Sequence, residues 1–134
     1  PQSPLRSAIG DTEVVLLDHI VVNTSDIERT SKAIEDACGA QVRRVRDAGN
    51  GVMQAFHRLE NTIIEVVSGP HISSETAQLW GIAISIEDLY GLAADLGDLA
   101  SPPKAATQKG RFISTIRRAA GIGVPLAMMT PHNK

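Results

Sequence analysis

Aromatic side chains are scarce in this chain, where Phe, Tyr and Trp together make up 3% of the 134 residues. Binding modes in which bases or sugars stack on aromatic rings therefore have little support. The single cysteine, Cys38, excludes an internal disulfide and sets no requirement for an oxidising compartment. The apolar runs have the length of strands and fall far short of the ~20 residues that cross a membrane. No basic-then-apolar signal peptide opens the sequence, so a cytoplasmic location is the default expectation.

An excess of charge of either sign is also missing, because 13 basic and 15 acidic residues leave a formal net charge of −2. This balance gives no electrostatic support for nucleic acid or an anionic membrane as a partner. Hydrophobic residues make up 43% and charged residues 21% of the chain, which is typical of a globular protein with a core of its own. We expect about one folded domain.

The clearest feature of the sequence is an internal repeat. Residues 17–27 align with residues 79–89, and Leu, Ile and Asp recur at matching places while the apolar positions between them stay apolar. Residues 62–68 align with residues 124–130 at the same separation of 62 residues, and each segment precedes a Pro-His pair. A common separation at both ends indicates a duplicated unit.

Copy one predicts the order β-α-β-β-β. Its predicted strands are rich in β-branched residues and span residues 16–22, 41–46, 52–59 and 62–67. Ser25 followed by Glu28 matches a capping box for the helix, which Gly39 is expected to end. A short turn between the last two strands predicts a hairpin.

Copy two predicts the same order less regularly, with strands at residues 79–86, 111–118 and 123–129 and a helix at residues 88–96. Prolines 102 and 103 interrupt the strand that should follow the helix, since proline cannot donate to a strand ladder. The predicted organisation is an N-terminal arm at residues 1–13 and one domain at residues 14–134. Within that domain we expect module one at residues 14–68, a linker at 69–78 and module two at 79–131.

Two such units in one chain resemble the vicinal oxygen chelate superfamily. This superfamily includes glyoxalase I, extradiol dioxygenases, methylmalonyl-CoA epimerase, and fosfomycin and bleomycin resistance proteins. Residues 17–22 resemble its opening strand, and residues 61–67 resemble the strand that closes its first module. The resemblance covers residues 14–131 and implies an α+β fold of two βαβββ modules whose curved mixed sheets pair to form an open cleft.

The resemblance also implies a site. Metal-dependent members hold a divalent ion with a ligand, such as His, from the first strand and a Glu from the last strand of each module. The matching positions here are His19 and Glu65 in copy one, and Gly81 and Ala127 in copy two. Glycine and alanine have no ligating side chain, so half of the set is missing and we expect no cofactor. The alternative is a divalent metal ion held by His19 and Glu65.

His19 and Glu65 are the candidate catalytic and ligand-binding pair. They could form a buried relic pair, contact a ligand without metal, hold a metal, or lie exposed. We expect both side chains on one concave face, within ~3 to 6 Å of each other.

Three further residues are candidate ligand contacts. His57 lies on the hairpin strand beside Glu65, and its alternative is a strand histidine that is bound to a backbone group or faces solvent. Trp80 adjoins the empty position at Gly81 and could stack on a ligand or simply pack. Arg117 is aligned with His57 and could hold a carboxylate or phosphate, or could lie on a solvated face.

The leading hypothesis is a small-molecule-binding protein of the glyoxalase and bleomycin-resistance type, with a degenerate metal site and no assignable reaction. The competing hypothesis is a lyase, isomerase or dioxygenase that acts on a small oxygenated substrate. In that enzyme, His19 and Glu65 would be metal ligands or acid and base. A third hypothesis is an interaction module whose cleft is filled by side chains. A homodimer is expected, because sheet edges remain to be covered.

Overall fold

The computed structural model describes residues 14–132, so the arm predicted at residues 1–13 lies outside the described residues. The described chain forms two compact units, of which one is residues 18–81 and the other is residues 82–132 together with 14–17. The first repeat contains β1 (Val14–Asn23), α1 (Ile27–Cys38), β2 (Val42–Gly49), β3 (Val52–Leu59) and β4 (Thr62–Ser68). The second contains β5 (Gln78–Ile86), α2 (Leu89–Leu96), β6 (Lys104–Ala105), β7 (Phe112–Ile116) and β8 (Leu126–Met129). We call these repeats module one and module two.

Each module has the predicted order β-α-β-β-β, which confirms the α+β class. Module one has the strand order β2-β3-β4-β1 and module two has the order β5-β8-β7-β6. In each module the first strand pairs with the last in parallel, and the remaining pairs are antiparallel. Each sheet is therefore mixed, as predicted.

Strand register shows that the repeat extends to individual residue pairs. Ile20 pairs with Ile64 in module one, and Ile82 pairs with Leu126 in module two. Both members of the second pair lie 62 residues after those of the first, which is the separation read from the sequence. The registers of β1 with β4 and of β5 with β8 therefore match throughout the paired residues.

Both helices begin at equivalent aspartates. Asp26 accepts a hydrogen bond from the Arg29 backbone N–H at 3.1 Å, and Asp88 accepts one from Gly91 at 2.9 Å. The prediction of Ser25 as the N-cap of α1 was wrong, because the backbone remains extended through Asp26 at φ −141°. α1 ends at Gly39, whose φ of 72° is the left-handed conformation expected of a C-terminal glycine.

Each module buries an apolar core between its sheet and its helix. In module one, Ala55, Ile64 and Val66 form a buried cluster with partly buried side chains from β1 and α1 packed on it. In module two, the cluster consists of Ile86, Leu89, Leu92, Leu96, Ala100, Ile116 and Met128. These cores fix which face of each sheet is turned to the helix.

Module two departs from module one where the sequence contains proline. β6 is only two residues long, and Ala100 forms an isolated bridge to Ile116 ahead of it. Between the Ala100 bridge and β6, Ser101 continues the contact with β7, since its Oγ accepts a hydrogen bond from the Thr115 N–H at 2.8 Å. β7 and β8 are also shorter than predicted, because pairing stops at Ile116 and resumes at Leu126.

Candidate functional site

The sheet of module one has a helix-facing side and an opposite side. Ile20, Val22, Ile64 and Val66 belong to the core cluster beneath α1. Because side chains alternate along a strand, the residues between them point to the other side. We call this second side the polar face, and its members on β1 and β4 include His19 and Glu65.

His19 and Glu65 lie on neighbouring strands and share the polar face. In the parallel ladder His19 pairs with Ile63, and Val21 pairs with Glu65. Glu65 therefore lies two residues further along β4 than Ile63, the residue opposite His19, and on the same face of the sheet. The pair has the relative orientation that the sequence predicts, and the distance between the two side chains remains a prediction.

A hydrogen-bonded chain crosses the polar face from β2 to β4. The Arg46 guanidinium donates from Nη1 to Gln54 Oε1 at 3.3 Å, and Gln54 Nε2 donates to Glu65 Oε2 at 3.4 Å. All three side chains are half-buried. The Gln54 amide thus lies between the Arg46 guanidinium and the Glu65 carboxylate and bonds to both. Guanidinium N–H groups and carboxylate oxygen lone pairs therefore remain for a ligand.

Two further arginines belong to the polar face by register. Arg44 pairs with Phe56, which pairs with Glu65, and its guanidinium carbon lies 5.9 Å from the Phe56 ring centre. Arg58 pairs with Ile63, the residue opposite His19. Three guanidinium groups and one carboxylate give the polar face a positive balance.

His19 is held at one ring nitrogen. Its Nδ1 lies 3.0 Å from Oδ1 of Asp18, whose residue is 3% exposed. When Asp18 is ionised, it only accepts hydrogen bonds, and His19 Nδ1 is then the donor in this contact. In the neutral imidazole, Nε2 is then the nitrogen with a free lone pair, which could accept from a ligand or take a proton.

His57 does not lie with His19 and Glu65. It pairs with Ile64, a core residue, so its side chain points to the helix-facing side. The ring is fully buried, with Nδ1 at 2.8 Å from the Ala40 carbonyl and Nε2 at 3.0 Å from Ser31 Oγ. Both nitrogens are used within the core, and we remove His57 from the candidate ligand contacts.

Arg117 is not the counterpart of His57. Ile116 pairs with Leu126 as His57 pairs with Ile64, so Ile116 occupies the place of the histidine. Arg117 is one residue further on, which is the place of Arg58. It is exposed and directly precedes the 3₁₀ turn Arg118–Ala120.

Trp80 lies near the start of β5 and is 53% exposed. Its neighbour Gly81 is buried. The Trp80 side chain therefore has a large accessible apolar surface, and a ligand contact at this residue remains a prediction.

The residues present do not make up the metal site that the resemblance implies. His19 and Glu65 supply one imidazole and one carboxylate, whereas Gly81 and Ala127 supply no ligating side chain. Among residues 14–132, no three His, Cys, Asp or Glu side chains come together in a group that could hold a metal ion. Three or four protein ligands are usual for such a centre.

The structures of several known proteins share this fold. Methylmalonyl-CoA epimerase from Mycobacterium tuberculosis matches with a TM-score of 0.69 at 16% identity, over 90% of each chain. A methylmalonyl-CoA epimerase in complex with methylmalonyl-CoA and NH4+ matches with a TM-score of 0.65 at 18% identity, over 88% of this chain and 95% of the other. The hypothetical protein BH1468 from Bacillus halodurans C-125 matches with a TM-score of 0.69 at 16% identity, over 89% and 96%.

No family model and no curated protein matches the sequence. At 16–18% identity, the structural likeness establishes the fold, which is that of methylmalonyl-CoA epimerase. Within the described part of the chain, no helix is long and apolar enough to span a membrane.

Sequence analysis missed the polar residues of β2 and β3. The alternating Val and Arg of β2 are typical of a half-exposed strand, and nothing in that pattern joins Arg46 to Gln54 and Glu65. The hairpin carried the needed signal. A two-residue turn pairs Leu59 with Thr62, and counting back from that pair places His57 opposite a core isoleucine and Gln54 on the polar face.

Proposed function

We propose that the polar face of module one binds a small oxygenated carboxylic acid. The observation that carries this proposal is the chain from Arg46 through Gln54 to Glu65, which lies on the same face as His19. It combines a cation, an amide and a carboxylate in reach of one small ligand. The fold of methylmalonyl-CoA epimerase, of which one structure contains methylmalonyl-CoA, supports a ligand of this class.

The charge on this face favours an anionic ligand. Arg46 uses Nη1 for Gln54, and among residues 14–132 its other guanidinium N–H groups have no hydrogen-bond partner. A guanidinium with two free N–H groups can hold a carboxylate with paired bonds. Glu65 would accept from a hydroxyl of the same ligand, so the ligand should carry a second oxygen near its carboxylate.

The proposal includes no resident metal. His19 and Glu65 make up half of the set that the superfamily uses, and the equivalent positions in module two carry side chains that cannot ligate. We also propose a cytoplasmic homodimer.

Calorimetric titration tests the binding site. The probes are malonate, lactate, pyruvate and methylmalonyl-CoA, each added to the whole protein. Arg46→Ala should weaken binding by about tenfold or more, since it removes a charge-assisted pair. Arg43→Ala is the matched control, because Arg43 is an exposed arginine of the same strand, three residues away, with no contact to Gln54.

Two results would contradict this function. One is the absence of saturable binding for every probe in the panel. The other is an equal loss of affinity in Arg46→Ala and Arg43→Ala, since a general charge effect would then explain the binding without the polar face.

A second candidate function is an isomerase that moves a proton without metal. It is favoured by the contact between Asp18 and His19, which leaves Nε2 of the imidazole as a base on the face that also carries Glu65. Proton NMR in D2O would follow exchange of the α-hydrogen of methylmalonyl-CoA. Exchange that is lost in both His19→Gln and Glu65→Gln would support this enzyme over the lyase and dioxygenase alternatives. Ligand binding without exchange would exclude this activity on that substrate.

A further inference from the structure

The connection between β7 and β8 is longer than its counterpart in module one. Six residues separate His57 from Ile64, whereas nine separate the equivalent residues Ile116 and Leu126. In module one, pairing continues to Leu59 and Thr62 at the turn. In module two it stops earlier, so the end of the hairpin is open.

Proline and glycine account for the open hairpin end. Pro125 stands where Ile63 stands in module one, and it has no N–H for a ladder bond. The added residues fold into the 3₁₀ turn Arg118–Ala120, which ends at Gly121 with a φ of 83°. The chain is therefore directed away from the strand pair before it returns at Leu126.

This opening forms a pocket of about 210 Å³. Its apolar lining comes from Ile116, Ile122, Val124 and Pro125, with Gly123 between them. Its polar lining comes from Arg117 and Arg118, which are adjacent and exposed. In the part of the chain that the structure describes, neither guanidinium forms an ion pair or a side-chain hydrogen bond. Two arginines that form no ion pair among the described residues thus line a pocket with an apolar part.

We propose that this pocket binds a small organic anion with a short apolar chain. The carboxylate would pair with Arg117 and Arg118, and the chain would contact the apolar lining. The pocket is smaller than the ~300–1,000 Å³ of sites for drug-sized ligands, so the ligand is small. All lining residues lie within residues 116–125, and the residues of the proposed carboxylic acid site lie within residues 18–81. The two sites are therefore separable by mutation.

Amide chemical shifts in a ¹H–¹⁵N NMR titration of the whole protein test this pocket. Octanoate is the probe. Of the two comparison ligands, acetate lacks the apolar chain and octanol lacks the charge. Octanoate should shift the amides of residues 116–125 in a saturable way, and both comparison ligands should bind at least about tenfold more weakly because each loses one of the two contacts.

Variants separate the pocket from general charge effects. Arg117→Ala/Arg118→Ala should weaken octanoate binding by about tenfold or more. Lys104→Ala/Lys109→Ala removes the same charge from two exposed lysines of module two and should leave the affinity unchanged. If the double arginine variant loses its native spectrum, Arg117→Gln gives the same test with one charge removed and a polar side chain retained.

The proposal is overturned if octanoate causes no saturable shifts in residues 116–125. It is also overturned if the arginine and lysine variants lose affinity equally, or if acetate binds as tightly as octanoate. Shifts confined to residues 19, 54 and 65 would place octanoate on the polar face of module one instead. That result would reject this pocket and leave the carboxylic acid site standing.

Discussion

Replacement of His57 by leucine tests whether this residue stabilises the fold or contacts ligand. His57 bonds the Ala40 carbonyl at 2.8 Å and Ser31 Oγ at 3.0 Å, and these two residues are 3% and 8% exposed. Each buried partner left without a bond costs about 1–3 kcal/mol. Leucine is of similar size, so the cavity contribution is small. We expect the free energy of unfolding to fall by about 3 kcal/mol, which a typical domain tolerates while staying folded.

Urea denaturation of the whole protein measures this loss. Arg58→Leu is the control for stability, since Arg58 is the next residue on β3 and is exposed. Its free energy of unfolding should stay within about 0.5 kcal/mol of the parent. Calorimetry on folded His57→Leu should give the parent affinity for small carboxylic acids, because the histidine lies on the helix-facing side.

The reasoning is refuted if His57→Leu loses less than about 1 kcal/mol. It is equally refuted if the variant keeps its stability and loses ligand affinity, because His57 would then contact the ligand. Ser31→Ala gives a further check. It removes one of the two bonds and should produce about half of the loss in His57→Leu.

Further predictions concern stability, metal content and assembly. Arg111→Lys should lower the free energy of unfolding by about 2 kcal/mol, since Arg111 is 2% exposed and donates to the Thr130 carbonyl at 3.0 and 2.8 Å; an unchanged urea midpoint would contradict this. Gly39→Ala should lower the free energy of unfolding by about 1 kcal/mol, and Gly123→Ala should hardly change it. Of these two glycines only Gly39 has a positive φ, and an added Cβ would meet no atom within 4 Å at either position. Equal urea midpoints would contradict the glycine argument. Elemental analysis after dialysis without chelator should find well under one transition metal ion per chain, and one ion per chain would reject the absence of a resident metal. Light scattering should find a dimer at tens of micromolar, whereas monomer alone would reject it.

Most of the fold was predictable because local signals agree with tertiary structure in both copies. Matching apolar positions 62 residues apart predicted equivalent strands, and the register of β1 with β4 and β5 with β8 has that separation. Gly39 predicted the end of α1. The N-cap of α1 was misplaced by one residue, because Ser25 and Asp26 are both good caps and only the backbone conformation distinguishes them.

The candidate site was less predictable, since it depends on strand register across three strands. His19 and Glu65 were found through the resemblance, and the ladder places them on one face. Arg117 was aligned with His57 because apolar matches in the hairpin are permissive. The connection between Ile116 and Leu126 is three residues longer than its counterpart in module one, so the correct alignment is shifted by one residue. A shift of one residue moves a side chain to the opposite face of the sheet.

A crystal structure of the protein with bound lactate tests the central claim most directly, because it locates the ligand. We predict the lactate carboxylate within hydrogen-bond distance of the Arg46 guanidinium, on the face that carries His19, with the lactate hydroxyl near Glu65. Lactate bound away from this face would contradict the account.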